Sequence, residues 1–223
     1  MRRISLSVIL VIAAILTLST TTPTQAKDRS QTATPAPQEV SIKMSDGLEI
    51  KGTYYLAPTT SAEVKAPAVL LLHQNNGYRG KWDRLVPVLT SAGYTVLAVD
   101  QRGFGKTGGE KDYLLLEKDG VALMNWLRAQ PSIDKDRVAV IGASVGSNAA
   151  LRACAADENC HAVVALSPGI DFYELKPASA IKTMSNKGIM LVAAQLDTES
   201  ADAVKAFVPD VPEDATVLLK IYG

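Results

Sequence analysis

The sequence predicts an α/β domain in which helices cover both faces of a mostly parallel sheet. Three features carry that prediction. Short continuous apolar runs, such as residues 68–72, read as strands buried on both faces. Between these runs apolar residues recur at helical spacing, and the two patterns alternate along the chain. No linker or internal repeat divides residues 38–223, which therefore form one domain.

Each element has its own local reason. Residues 39–44 and 48–56 alternate apolar and polar around Ser45-Asp46-Gly47, the pattern of a β-hairpin. The first buried strand is 68–72. Trp82, Leu85, Val86 and Leu89 then fall at helical spacing, with Gly93 as the stop. A second buried strand covers 94–99. Leu116, Val121, Met124 and Leu127 mark the apolar face of a helix over 114–127, and Pro131 ends the link behind it. Strands are expected at 138–141, 162–166, 189–194 and 216–221, with helices over 144–155 and 198–207.

The composition, 47% hydrophobic and 21% charged, is that of a folded domain rather than a disordered chain. Basic and acidic residues balance at 23 each, so no cationic surplus points to nucleic acid. Two cysteines and two histidines are too few for a His/Cys zinc cluster or a multi-disulfide scaffold. Met1-Arg2-Arg3, an apolar run over 4–18 and a polar stretch to Ala26 are laid out as a signal peptide, 1–26. The apolar run falls short of the roughly 20 residues that span a bilayer; an uncleaved membrane anchor is the competing reading. Residues 27–37 follow as a flexible leader. The mature protein is thus expected to be exported, periplasmic or extracellular, with no stable membrane span.

Export gives the cysteines a meaning. Disulfides persist in such compartments, and Cys154 and Cys160 are expected to bridge, tying the end of one helix to the start of the next strand. Closing so short a loop contributes about 2 kcal/mol. Only Arg152 is basic beside Cys154, which argues against a catalytic thiol.

The chemistry-bearing motif lies where the strand over 138–141 runs into Gly142-Ala143-Ser144-Val145-Gly146. A sharp strand-to-helix turn strains the serine backbone, and side chains two positions to either side would collide. Glycine at both places removes the collision. Ser144 is the nucleophile candidate, beside a helix N-terminus that favours developing negative charge. A Gly-rich phosphate-binding turn is the alternative, but no lysine or second glycine run accompanies it.

Five segments in order carry a resemblance. They are His73-Gln74-Asn75-Asn76-Gly77, Asp100-Gln101-Arg102-Gly103-Phe104-Gly105, the Ser144 pentapeptide, Leu166-Ser167-Pro168-Gly169 and Leu196-Asp197. From about residue 39 to residue 223 the chain resembles the α/β-hydrolase superfamily, in particular its exported dienelactone-hydrolase-like and esterase-like members. The resemblance implies an α/β-hydrolase fold and a serine hydrolase that cleaves ester, lactone or related acyl bonds of a small molecule through a Ser144 acyl-enzyme, with no metal or organic cofactor. It implies an oxyanion hole built from the backbone N–H groups of Asn75 and Val145, and a structural role for residues 100–105. Gln74 stands where many members have glycine. Asp197, three residues past a strand, is the implied acid, although Asp-Thr-Glu-Ser also reads as a helix N-cap. Asp171 is the second candidate acid and Glu199 the third. A cap would insert after Leu166, where residues 169–187 leave room for a small one or none.

The base is the difficulty. Members of the superfamily place a histidine in a loop after the last strand, yet no histidine follows Asp197 in these 223 residues. His161 begins a strand and belongs to the opposite sheet edge, and His73 sits on the strand side of the oxyanion loop. Two expectations compete: a chain without its C-terminal histidine loop and last helix, or a catalytically inactive relative that kept the fold to bind. The first is preferred. The 223-residue form is then expected to be inactive or very weak, and to expose apolar surface that favours association.

Overall fold

The computed structural model describes residues 35–58, 60 and 64–222. The expected signal peptide and most of the leader lie outside the described residues. A polar-apolar alternation pairs β1 (Gln38–Lys43) with β2 (Glu49–Tyr55) as the expected antiparallel hairpin, with Asp46 Oδ1 accepting the Leu48 N–H in the turn. The apolar runs become β3 (Ala66–Leu72), β4 (Thr95–Val99), β5 (Ile133–Ala143), β6 (Cys160–Leu166), β7 (Gly188–Ala194) and β8 (Thr216–Tyr222). Together they form one eight-stranded sheet in the order β1-β2-β4-β3-β5-β6-β7-β8. From β4 to β8 every neighbouring pair is parallel, so the C-terminal ends of six strands open onto one edge.

Among the described residues five α-helices connect the strands: α1 (Val86–Ser91), α2 (Leu116–Arg128), α3 (Val145–Ala156), α4 (Ala178–Ile181) and α5 (Thr198–Phe207). The continuous helix expected from Trp82 to Leu89 is not formed. Residues Arg79–Trp82 make a 3₁₀ turn, and α1 starts only at Val86 with Pro87 in its first turn. Proline lacks the N–H that a helix through 82–89 would need, and it suits a first turn, where that N–H has no partner anyway. Trp82 still packs where the spacing placed it, with Val86 and Leu89 against Val69, Leu71, Val96 and Ala98.

Opposite faces of the sheet are covered differently. Leu70, Leu72, Leu97, Val99 and Val140 pack beneath α2, α3 and α5 through Leu123, Leu127, Leu151, Val204 and Phe207 in the main core. The second face is covered by α1 and the 3₁₀ turn over β3 and β4. Farther along it, Ala139, Ala162, Val164, Leu166 and Val192 are only half-buried. Along β8, Val217, Leu219 and Tyr222 are exposed. No helix among the described residues is long and apolar enough to cross a membrane.

Chain reversal at β3 positions the site. After β3 the chain passes through α1 on one face to β4; after β4 it passes through α2 on the other face to β5. Connections that diverge in this way open a crevice at the strand ends between β3 and β5, the place where open α/β sheets bind ligands. The opposite edge is tied down instead. Cys154 and Cys160 are bridged there, and the buried Lys187 ammonium donates to the carbonyl oxygens of Asp157 and Cys160, each at 2.8 Å.

Candidate active site

Ser144 sits between β5 and α3 with φ 50° and ψ −123°, a conformation that costs a residue with a side chain about 1–3 kcal/mol. Local packing enforces it. A Cβ on Gly142 would run into the Gly146 carbonyl, and one on Gly146 would run into the carbonyl oxygens of Leu72 and His73. Glycine at 146 therefore lets the first turn of α3 lie directly against the end of β3. The Ser144 N–H donates to the Leu166 carbonyl at 2.8 Å, fixing the elbow to β6, and the serine is half-buried.

The loop after β3 is held from below. His73 is fully buried, and the Gln101 N–H donates to its Nε2 at 3.1 Å. Nε2 is thus the acceptor, the ring proton is on Nδ1, and Nδ1 donates to the Gln74 carbonyl at 2.7 Å. Burial pushes the imidazole pKa down, so the ring is neutral. Both nitrogens are spent on backbone, which removes His73 as the base. Asp100 does what was expected of its segment: Oδ1 accepts the Arg79 N–H at 2.7 Å and Oδ2 the Lys106 N–H at 2.8 Å, binding two loops together. Above them, the N–H groups of Asn75 and Val145 donate to no described residue.

Burial of neutral His73 has a pH signature. Its pKa lies below the unfolded value near 6.5, so the unfolded chain takes up a proton first as pH falls. The stability His73 confers is complete above about pH 6.5 and declines below it, ahead of any carboxylate. Urea unfolding at pH 7.5, 6.5 and 5.5 reads this directly; a midpoint constant across that range would overturn the neutral buried ring.

Asp197 follows β7 at the same sheet edge and begins α5 as its N-cap, accepting the Ser200 N–H at 3.3 Å. Hydrogen bonds from Ser200 and from Ser167 hold its carboxyl below the usual carboxylate range. Capping and membership of the site are therefore compatible for this residue. Asp171 is turned to its own loop, accepting the Glu174 N–H at 2.8 Å and pairing with Lys176 at 3.3 Å. Glu199 is exposed in the first turn of α5. His161 is exposed at the start of β6, on the opposite edge as expected. Two features escaped the sequence reading: Ser167, at φ 49° beside Asp197, and a stacked pair, Tyr113 and Tyr173, that brackets Asn75. Among the described residues no three His, Cys, Asp or Glu side chains converge as metal ligands would.

Residues 67–213 match the family model of the alpha/beta hydrolase fold. The chain belongs to that family. The sheet order and the strained serine agree with it. Among relatives, an uncharacterised Mycobacterium tuberculosis protein is 34% identical over 117 residues, 52% of this chain and 41% of that protein. The quorum-quenching protein AidA of Acinetobacter baumannii is 30% identical over 159 residues, 67% of this chain and 51% of that protein. The chain spans about half the length, or less, of these curated relatives. An esterase of Pyrococcus furiosus superposes with a TM-score of 0.73 at 20% identity, covering 90% of this chain and 86% of the esterase. Dienelactone hydrolase from Anabaena variabilis gives 0.67 at 24% identity, covering 83% and 85%. At such identities the likeness is one of fold.

Proposed function

We propose that this alpha/beta hydrolase is a serine hydrolase of ester, lactone or related acyl bonds in a small-molecule substrate. Ser144 attacks the acyl carbon, and the N–H groups of Asn75 and Val145 receive the oxyanion. Asp197 orients a histidine carried by a loop after β8, the position the family order gives it. Neither a metal nor an organic cofactor is required for this chemistry. The observation that carries the reading is the strained Ser144 at the head of α3, at the crevice where the Asn75 and Val145 N–H groups have no described partner. The names of the structural neighbours, an esterase and a dienelactone hydrolase, support an acyl substrate. Export after cleavage near Ala26 agrees with the Cys154–Cys160 bridge.

A catalytically inactive binding protein with the same fold is the second reading. It draws on one observation: both His73 nitrogens are occupied and His161 stands at the far edge. A fluorophosphonate probe separates the two on a chain that carries a histidine after β8. Labelling that disappears in Ser144→Ala is expected for the hydrolase. Labelling retained in that variant, or absent from the parent, would overturn it, the latter in favour of the binder.

A further inference from the structure

Resting on the serine-hydrolase reading, we propose that Tyr113 and Tyr173 are positioning residues, which set the oxyanion loop against the nucleophile helix through the Asn75 side chain. The two rings stack with centroids 4.0 Å apart and planes 9° from parallel. Their hydroxyls grip one amide from both sides: Asn75 Nδ2 donates to the Tyr173 oxygen at 2.5 Å, and the Tyr113 hydroxyl donates to Asn75 Oδ1 at 3.1 Å. That same Oδ1 accepts the Asn76 N–H at 3.0 Å, and Asn76 takes a left-handed φ of 55°. The Asn75 amide therefore fixes how the backbone turns from Asn75 into Asn76, at a residue whose own N–H donates to no described residue.

What makes this a brace is the anchoring of its far end. Tyr173 belongs to the loop after β6, and Asn148 of α3, fully buried, holds that loop at three points. Asn148 Nδ2 donates to the carbonyls of Gly169 at 2.8 Å and Leu175 at 2.7 Å, and its Oδ1 accepts the Gly169 N–H at 3.1 Å. Asn148 lies one helical turn beyond Ser144. The path thus runs from the nucleophile helix through Asn148 to the 169–175 loop, then through Tyr173 to Asn75. Tyr173 and Glu174 both carry positive φ, 54° and 69°, consecutive residues in the left-handed region that side chains disfavour. The Asn148 bonds to Gly169 and Leu175 flank this pair, and Tyr173, half exposed, is held by Asn75 and the Tyr113 ring. Tyr113 is oriented independently, since Asp112 Oδ1 accepts the N–H groups of Leu114 and Leu115.

Tyr173→Phe keeps the stacked ring and removes the oxygen that Asn75 binds. Asn75→Ala keeps the backbone donor and removes the gripped amide. In a chain that carries a histidine after β8, each is expected to speed amide exchange at residues 74–77. Each should lower kcat for p-nitrophenyl acetate about 10-fold, with KM changed less than about 2-fold, as misplacement of a transition-state donor would do. Because both act through one link, the double variant should be no slower than Asn75→Ala. Ser144→Ala is measured beside them: turnover that survives it sinks the serine reading, while exchange at 74–77 still judges the brace by itself. Unchanged exchange, a kcat left at the parental value while exchange quickens, or losses that multiply in the double variant would each overturn the positioning role.

Discussion

The 223-residue chain is expected to hydrolyse p-nitrophenyl acetate only about 10³–10⁴-fold faster than water, the acceleration that oxyanion donors and binding leave when a triad member is missing. A chain that continues past Gly223 with a histidine in the loop after β8 should exceed it by several orders of magnitude. The reason lies in hydrogen bonding rather than distance alone. For His73 to accept the Ser144 proton, Nε2 would have to give up the Gln101 N–H or Nδ1 its proton, leaving a buried polar group unpaired at about 1–3 kcal/mol. The resulting imidazolium would also be buried, where desolvation disfavours it. Loss of the general base alone costs about 10⁶ in kcat in a well-studied serine protease. Initial rates for the two purified forms, each with its Ser144→Ala partner, measure the gap. Equal rates would mean that the missing-base argument fails and that His73 can rearrange.

How much of this was legible beforehand follows from the range of the interactions involved. Strand and helix patterns are local, and so is the collision that demands Gly142 and Gly146; both could be read from spacing. So could the Cys154–Cys160 bridge, because the two cysteines, six positions apart, join a helix end to the next strand start in a chain laid out for export. The broken helix at 82–86 is also written locally, in Pro87, whose missing N–H the helical spacing of Trp82, Leu85, Val86 and Leu89 does not register. By contrast, the state of His73 is decided by the Gln101 N–H from the next strand end, and the Asn75 amide is gripped by tyrosines on two other loops. No periodicity encodes such meetings. They exist because parallel strands bring their C-terminal ends to one edge, and only the sheet order says which loops become neighbours. Asp197 shows the intermediate case: its capping role is local and was visible, while its contact with Ser167 depends on β6 and β7 lying side by side.

Replacing Gly146 by alanine is expected to destabilise the domain by at least about 3 kcal/mol, at the upper end of what overpacking costs. The added methyl would enter the space of the Leu72 and His73 carbonyls. Both belong to backbone, one ending β3 in the centre of the sheet and the other bonded by the Gln101 side chain at 2.6 Å, so neither can swing aside as a side-chain tip would. Relief requires α3 to move off β3, which opens the packing of Val145, Ala149 and Leu151 in the main core. Gly108→Ala supplies the comparison. Gly108 has φ +60° and nothing within 4 Å of a would-be Cβ, so alanine there meets only the left-handed backbone penalty, about 1–2 kcal/mol. At roughly 2–4 °C per kcal/mol for a domain of this size, Gly146→Ala should melt at least about 6–12 °C below the parent, and Gly108→Ala a few degrees below. Scanning calorimetry of the three proteins reads both shifts, and the fluorophosphonate probe reads whether Ser144 stays presented. If Gly146→Ala melted with Gly108→Ala or above it, the close approach of α3 to β3 would be wrong. The strained serine would then have to be held by something other than the packing of its two glycines.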